Sequence, residues 1–225
     1  VVIMKSPKRP NVFLPEKTVP DNGLRRTLNG RAEKPIVVSA IMPTYDARAP
    51  YLRWAIRQFL DERQQFLQSE LVVIDDSSVS TIAEILAGYH DAPWLQYIHL
   101  DHTTSIGEKR NIGIRSARGE VMILCDDDDY NFPDRLWNQT KLIRSGEVDM
   151  TVPRAQFFLS VADEQLYRMK PKVKSPLLLG TVAFRKSIFG HTTQCTYPHT
   201  NLDEDHAFVA CATYAGASIA IVPSR

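Results

Sequence analysis

Apolar and polar residues alternate along the chain in blocks that have the lengths of strands and helices. Strands are predicted by four apolar runs: PIVVSAIMPTY (35–45), ELVVIDDSS (70–78), LQYIHL (95–100) and VMILCDDDD (121–129). Between them, apolar residues recur at helical spacing in YLRWAIRQFLDERQQF (51–66), STIAEILAGY (80–89) and GEKRNIGIRSARGE (107–120). We expect Ser80 to cap the second of these helices and Gly119 to end the third. Strands that alternate with helices predict an α/β protein built on a largely parallel sheet.

The pattern changes after residue 129. NFPDRLWNQTKLI (131–143) predicts a helix that begins at Pro133, and AFVACATYAGA (207–217) predicts another. Antiparallel strands are predicted by MTVPRAQFFLSV (150–161) and QLYRMKPKV (165–173), and a further apolar strand by LLLGTVAFRKSIF (177–189). We therefore expect a mixed, mostly parallel sheet flanked by helices, with a smaller antiparallel portion in the second half.

The first 35 residues differ from the rest of the chain. They contain five prolines and many basic residues without periodicity, which predicts an extended arm or linker. The chain thus divides into a proline-rich basic arm, residues 1–35, and one folded domain, residues 36–225. We also expect that it is one domain of a longer multidomain protein.

Composition narrows the class of protein. A net charge of +1 gives no reason to expect a nucleic-acid partner, and no apolar run is long enough for a transmembrane segment. The three cysteines, Cys125, Cys195 and Cys211, are widely spaced. This spacing argues against a disulfide framework and a cysteine-based zinc site, and it favours a reducing, cytoplasmic location.

Polar residues follow three of the predicted strands. The segments are Pro43–Asp46, Asp75–Asp76 and Asp126–Asp129. Ligands of parallel α/β sheets bind outside the carboxyl ends of the strands. The sequence therefore predicts a binding site at this edge of the sheet.

Four consecutive aspartates, Asp126–Asp129, need a partner of opposite charge. Two like charges 4 Å apart repel by roughly 4 kcal/mol at an effective dielectric constant near 20. Mg²⁺ and Mn²⁺ take carboxylate oxygens together with phosphate oxygens and water. The run predicts a metal–phosphate site, and a solvated acidic turn is the alternative.

Other residues near the strand ends have chemistry that suits a nucleotide. Lys109 and Arg110 lie near the start of a helix, where they could approach a diphosphate, although an exposed cationic helix face is an equal alternative. Tyr45 could stack on a base. Asp76 could accept a hydrogen bond from a base N–H, or cap the next helix instead.

A second acidic group, Asp203–Glu204–Asp205, precedes the last predicted helix. Acids at this position ordinarily interact with the helix dipole. The functional alternative is that one of them is a general base that takes a proton from an attacking hydroxyl group.

The order and spacing of these motifs resemble glycosyltransferase family 2. The resemblance covers about residues 36–222 and rests on VVSAIMPTYD, ELVVIDDSS, GEKRNIGIRSARGEVMILCDDDDY, FPDRL, LLLGTVAFRKS and LDEDHAFV. It implies the GT-A fold, a nucleotide-diphosphate sugar as donor, most simply a UDP-sugar, and an acceptor hydroxyl on a glycan or glycoconjugate. It also implies Mn²⁺ or Mg²⁺ as cofactor, and direct displacement with inversion at the sugar carbon.

The resemblance also implies roles for individual residues. Pro43, Thr44 and Tyr45 would line the base pocket, Asp76 with Asp75 would read the uracil edge, and Arg110 with Lys109 would lie near the diphosphate. Asp126, Asp127 and Asp128 would form the Asp-X-Asp motif, with Asp128 as metal ligand, Asp126 as a second candidate ligand, and the ribose contact open between Asp126 and Asp127. Asp205 would be the catalytic base and Glu204 its companion.

Two other functions compete with this one. A haloacid-dehalogenase-type phosphohydrolase also has a strand that ends in Asp-X-Asp, but it requires Thr or Val two residues later, where this chain has Tyr130 or Asn131. The second is a nucleotide-sugar-binding module without turnover. Loss of turnover in Asp205→Asn would separate an enzyme from such a module.

Overall fold

The structure, a computed structural model, describes residues 36–154, 156–160, 165–169, 179–190 and 195–223. All of them lie within one folded unit, residues 35–225. The predicted arm, residues 1–35, lies outside the described residues, as do parts of 150–161, 165–173 and 177–189. Among the helices that are described, none is long and apolar enough to cross a membrane.

The first half of the domain forms the predicted parallel strands and their helices. The strands are β1 (Val38–Thr44), β2 (Ser69–Asp75), β3 (Leu95–His99) and β4 (Val121–Leu124). The helices between them are α1 (Ala49–Gln65), α2 (Thr81–Leu86) and α3 (Ile106–Ser116). β1 pairs in parallel with β2 and β4, and β2 pairs in parallel with β3. The carboxyl ends of these strands therefore meet at one edge.

The second half extends the same sheet. Its elements are α4 (Arg135–Arg144), β5 (Met150–Pro153), β6 (Gln156–Ser160), β7 (Gln165–Met169), β8 (Ala183–Arg185), α5 (Glu204–Tyr214) and β9 (Ile219–Val222). The order across the main sheet is β3-β2-β1-β4-β8-β5-β9, and only β8 runs antiparallel to its neighbours within the described residues. The mixed, mostly parallel sheet flanked by helices is confirmed.

The segment 150–161 was expected to be a single antiparallel strand, and that expectation is wrong. Its first part, β5, joins the main sheet parallel to β9, whereas its second part, β6, pairs with β7 in a separate two-stranded antiparallel sheet. The division falls between Pro153, which is the last residue of β5 and pairs with Val222, and Gln156, which begins β6. The antiparallel pairing predicted between the two segments holds for β6 and β7.

The strands β1, β2 and β4 are buried on both faces, as is usual where helices cover a parallel sheet. Side chains of β1 alternate between two apolar clusters, with Ala40 and Met42 in one and Ile41 in the other. Residues of α1, α2 and α4 belong to the first cluster, and residues of α3 and α5 to the second. This packing holds the strand ends, and the polar residues that follow them, in fixed positions.

Two helix ends differ from expectation. The Ser80 hydroxyl donates to the Glu84 carboxylate at 2.6 Å and makes no side-chain cap bond to the backbone. α3 ends at Ser116 rather than at Gly119. Gly119 lies beyond the helix, where its N–H donates to the Ser39 hydroxyl at 2.9 Å. A side chain at this glycine would come within 2.7 Å of that same oxygen, so the glycine permits close packing on β1.

The expectation that the cysteines would be free is wrong for two of them. Cys195 and Cys211 form a disulfide across 16 residues, and Cys125 is free and buried. Cys195 lies in the segment before α5 and Cys211 lies within that helix. The fold thus places two cysteines that are 16 residues apart in the sequence in direct contact. The argument from cysteine spacing for a reducing compartment therefore fails.

Candidate active site

A cleft of about 370 Å³ opens at the carboxyl edge of the sheet. It brings together residues from all three strand ends that the sequence singled out. Its lining consists of Pro43, Thr44, Tyr45, Arg48, Asp76, Thr103, Thr104, Ile106, Lys109, Asp126, Asp127, Asp128 and Asn201. The predicted convergence of polar residues at this edge is thus present.

The side chains of the first three aspartates of the run differ in exposure. The side chains of Asp126 and Asp128 are 29% and 22% exposed, whereas Asp127 is buried and accepts a hydrogen bond of 2.7 Å from the Thr44 hydroxyl. Burial raises the pKa of Asp127 to about 7, although Thr44 and Arg48 act to lower it. Two carboxylates are therefore available to the cleft, and the one between them is anchored to β1.

Arg48 is a cleft residue that the sequence analysis missed. Its guanidinium group donates to the Asp128 carboxylate and lies 3.9 Å from a carboxylate oxygen of Asp127. The guanidinium carbon is 5.8 Å from the centre of the Tyr45 ring. A signal was present in the sequence, since PTYDAR places a basic residue in the loop that follows the first strand.

The other end of the cleft has an aromatic ring beside an ion pair. Tyr45 is 45% exposed. The ammonium group of Lys109 pairs with the Asp76 carboxylate and donates to the Thr44 carbonyl oxygen at 2.8 Å. The other carboxylate oxygen of Asp76 accepts the Thr104 N–H at 2.9 Å. Lys109 was expected near a diphosphate, but its contacts are with Asp76 rather than with the aspartate run.

Asp75 does not line the cleft. Its side chain is buried, and it accepts the Ser77 N–H at 2.9 Å and the Tyr97 hydroxyl at 2.8 Å. Burial and the hydrogen bond to Asp75 raise the pKa of Tyr97. These contacts connect the end of β2 to β3 and to the loop that follows β2. They thereby help to hold the neighbouring Asp76 in position.

Arg110 lies beneath the acids instead of beside the cleft. It is 1% exposed. One guanidinium nitrogen lies 2.6 Å from both Glu204 and Asp205, and the other lies 3.3 Å from Asp126. Burial acts to lower the pKa of Arg110, but the charges of Asp126 and Asp205 outweigh it and the pKa is raised. Arg110 thus joins the start of α5 to the end of β4.

The first turn of α5 begins from an unusual backbone conformation. Asp203 has φ of 60°, the left-handed region that residues other than glycine rarely adopt. Glu204 and Asp205 accept the hydrogen bonds from Arg110 described above, so they have a charged partner besides the helix dipole. Burial raises the pKa of Asp205 to about 7, although Arg110 opposes this effect.

A loop before α5 is tied to the start of α3. The Asn201 side chain accepts the Ile106 N–H at 2.8 Å, and the Gly107 N–H donates to the Thr200 carbonyl at 3.2 Å. A side chain at Gly107 would lie 1.9 Å from the Pro198 carbonyl oxygen, so only glycine permits this approach. These contacts place Asn201 at the cleft, and no signal in the sequence pointed to this residue beyond its position in a polar loop.

The acids do not form a closed metal cage. Within the part of the chain that the structure describes, no three Asp, Glu, His or Cys side chains converge on one point. Mg²⁺ and similar ions, however, commonly take one or two protein carboxylates and complete their shell with phosphate oxygens and water. The exposed carboxylates of Asp126 and Asp128 fit that kind of site.

Comparisons with known proteins identify the family of the chain. The family model described as "Glycosyl transferase family 2" matches residues 39–209. The chain belongs to glycosyl transferase family 2. A curated relative, "Uncharacterized glycosyltransferase YwdF" of Bacillus subtilis, is 27% identical over 110 residues, which cover 49% of this chain and 39% of YwdF. Membership of family 2 leaves the haloacid-dehalogenase alternative without support.

Solved structures show the same fold. Staphylococcus aureus TarS in complex with UDP is 19% identical, with a TM-score of 0.66 over 84% of this chain and 60% of that one. TarS in complex with UDP-GlcNAc gives 21% identity and a TM-score of 0.64, covering 84% and 59%. The chain has the GT-A fold of these glycosyltransferases. It spans less than half the length of the first curated relatives it matches.

Proposed function

We propose that this domain is an inverting glycosyltransferase that moves a sugar from a UDP-sugar to an acceptor hydroxyl on a glycan or glycoconjugate. The observation that carries the proposal is the two-ended cleft. One end has an exposed aromatic ring beside hydrogen-bonding groups, which suits a nucleobase, and the other has two available carboxylates, which suit a cation bound to a diphosphate. TarS, which shares the fold, has been crystallised with UDP and with UDP-GlcNAc.

We assign the Asp-X-Asp motif to Asp126, Asp127 and Asp128. Asp128 would hold a divalent cation, Mn²⁺ or Mg²⁺, with Asp126 as a second ligand or as the contact to the ribose. Asp127 keeps the loop on β1 through Thr44. The cation, when bound, would offset negative charge on the leaving diphosphate. Arg48, now paired with Asp128, would remain close enough to the diphosphate to add a second positive charge.

Asp205 is the general base in this proposal. Its carboxylate would take the proton of the acceptor hydroxyl while that oxygen forms a bond to the anomeric carbon, and the bond to UDP would break on the opposite face. The electron pair of the broken bond would leave with UDP. Arg110 supports this role because it joins Asp205 to Asp126, and thereby to the donor side of the cleft.

A thermal-shift panel tests the proposed function. The full chain is heated with UDP, CDP, GDP, ADP, UDP-GlcNAc and UDP-glucose, each with Mn²⁺ and with EDTA. A ligand that binds only the native state raises the melting temperature. We expect the uridine nucleotides to stabilise the protein when Mn²⁺ is present. Equal stabilisation by all nucleotides, or none by UDP, would contradict the proposal, and UDP release from the UDP-sugar would distinguish an enzyme from a binding module.

A further inference from the structure

The disulfide between Cys195 and Cys211 encloses the segment that carries the proposed general base. The two cysteines are 16 residues apart, and Glu204 and Asp205 lie between them. A cross-link that closes a loop removes many of the open conformations of that loop and so favours the closed one. The disulfide therefore constrains the same stretch of chain that has to hold Asp205 in place.

The bonded cysteine of α5 lies on the same side of the helix as Glu204. Residues 204, 208 and 211 are separated by four and three positions, which places them along one side of a helix. Glu204 contacts the buried guanidinium group described above. The Phe208 ring stacks on Tyr197 with 4.3 Å between the ring centres, and Cys211 is bonded to Cys195. The three contacts together set the rotation of α5 about its axis, and the disulfide is the covalent one.

The other end of the bond is held by α3. The Asn111 side chain accepts the Tyr197 N–H at 2.9 Å and donates to the Tyr197 carbonyl at 2.8 Å. The Gly190 N–H donates to the Cys195 carbonyl at 3.1 Å. Because Cys195 is two residues before Tyr197, the disulfide joins α5 to a segment whose position is already fixed.

The first turn of α5 contains features that favour its opening. Asp203, before the turn, has the left-handed backbone conformation that residues other than glycine rarely adopt. Glu204 and Asp205 both lie 2.6 Å from one nitrogen of Arg110, and like charges drawn to one point repel each other. A constraint elsewhere on the helix therefore matters for the position of this turn.

A thiol can reach the bond from one side. Cys195 is fully buried, whereas Cys211 is partly buried, so a dithiol would attack at Cys211. The S–S bond then breaks, the dithiol closes into its own disulfide, and its two electrons and two protons leave both cysteines as thiols. Cys125 does not compete in this exchange, because burial raises its pKa to about 12 and keeps it protonated.

We propose that the Cys195–Cys211 disulfide is a redox switch for the first turn of α5: the intact bond holds Glu204 and Asp205 in position, and reduction by a dithiol opens the turn and lowers turnover. The inference rests on the proposed function, in which Asp205 is the base. Closing a loop of about 15 residues shifts the balance between closed and open forms by about a hundredfold.

Hydrogen exchange and turnover of the full chain test the switch together. They are measured before and after treatment with dithiothreitol, and again after reoxidation, for the wild type, for Cys211→Ser and for Ala210→Ser, an exposed control on α5. Alkylation in denaturant checks the redox state, since it should label one cysteine in the oxidised protein and all three after reduction.

In the wild type and in Ala210→Ser, reduction should speed exchange of the amides of residues 198–206 by up to about a hundredfold. Turnover should fall with it, with little change in the KM for the UDP-sugar, and both should recover on reoxidation. Cys211→Ser should behave as the reduced protein whether or not dithiothreitol is present.

A purely structural role for the disulfide predicts a different result. Reduction would then lower the melting temperature and speed exchange throughout the domain, while turnover of the folded enzyme and the relative protection of residues 198–206 stayed the same, which would overturn the inference. Three labelled cysteines before reduction would overturn it as well. If the oxidised protein does not turn over any UDP-sugar, the proposed function fails, whereas faster exchange of residues 198–206 on reduction would still support control of this turn by the disulfide.

Discussion

Carboxylates are buried at both edges of the sheet, but the pKa of the buried carboxylate is lowered at the amino edge and raised at the carboxyl edge. At the amino edge, Glu70 is fully buried and accepts hydrogen bonds from the Ser39 hydroxyl at 2.6 Å, the Gln96 amide at 2.8 Å and the Arg118 N–H at 2.7 Å. Burial acts to raise the pKa of Glu70, but the hydrogen bonds from Ser39 and Arg118 outweigh it, and the pKa is lowered.

At the carboxyl edge, the effect of burial on the pKa is larger than the effect of the neighbouring hydrogen-bond donors and cations. It raises the pKa of Asp127, of Asp129 and of Asp205 to about 7 in each case. Titratable groups whose pKa is shifted this far are concentrated at functional sites. The contacts of Glu70 thus favour its ionised form, whereas the contacts of these three acids at the carboxyl edge, which include Arg48 and Arg110, do not offset the effect of burial.

The largest expected effect is on catalysis, from Asp205→Asn. A general base contributes about 10²–10⁴-fold to a rate, so we expect a loss of UDP release from the UDP-sugar in this range. Stability should change little, because Arg110 keeps Glu204 and Asp126 as charged partners when Asp205 is replaced by a neutral residue. The matched control is Asp203→Asn, which removes one exposed charge two residues away and suits the left-handed backbone there. Unchanged turnover in Asp205→Asn would show that another group is the base.

The amino edge should respond to mutation in stability only. Glu70→Gln weakens a set of charge-assisted hydrogen bonds to a buried group, and we expect it to lower the free energy of unfolding by about 2 kcal/mol. Denaturation with urea measures this change. Glu120→Gln, an exposed control near the same edge, should change it by less than about 0.5 kcal/mol. A large rise in the KM for the UDP-sugar in Glu70→Gln would contradict the division between the two edges.

A smaller effect should appear in the pH dependence of turnover. Asp205 must be ionised to accept a proton, and burial raises its pKa to about 7, opposed by Arg110 and reinforced by the charges of Asp126 and Glu204. The neighbouring Tyr197 has a pKa raised well above its ordinary value by burial, so it stays neutral. The rate should therefore rise with pH, by about tenfold per unit below 7, and level off above it. A rate that is constant from pH 5.5 to 8 would contradict this.

Local patterns in the sequence were sufficient for much of the fold. Strand and helix order followed from apolar periodicity, and the site followed from the rule that parallel strands present their carboxyl ends at one edge. The predictions that failed concerned contacts between residues that are far apart in the sequence. The break between β5 and β6 reflects pairing with β9 and β7, and the Cys195–Cys211 disulfide reflects the return of α5. Neither is visible in residue spacing.

Side-chain direction explains the differences within the site. Lys109 and Arg110 are adjacent in the sequence, and nothing in the residue pattern separates their roles. Successive residues on a helix point about 100° apart. Lys109 therefore contacts Asp76 at the end of the cleft that contains Tyr45, whereas Arg110 contacts Asp205 from below. Asp75 and Asp76 diverge for the same kind of reason, since neighbouring residues at a strand end face opposite sides of the sheet.

The most direct test of the comparison is whether the carboxyl edge binds a cation and UDP together. Calorimetry measures the affinity of UDP with Mn²⁺ and with EDTA for the wild type, for Asp128→Asn and for Asp91→Asn, an exposed control. In the wild type and the control, we expect Mn²⁺ to strengthen UDP binding by about 5–150-fold, the usual range of coupling between two ligands, and in Asp128→Asn we expect that gain to be lost. Equal affinity for UDP with Mn²⁺ and with EDTA in the wild type would contradict the account.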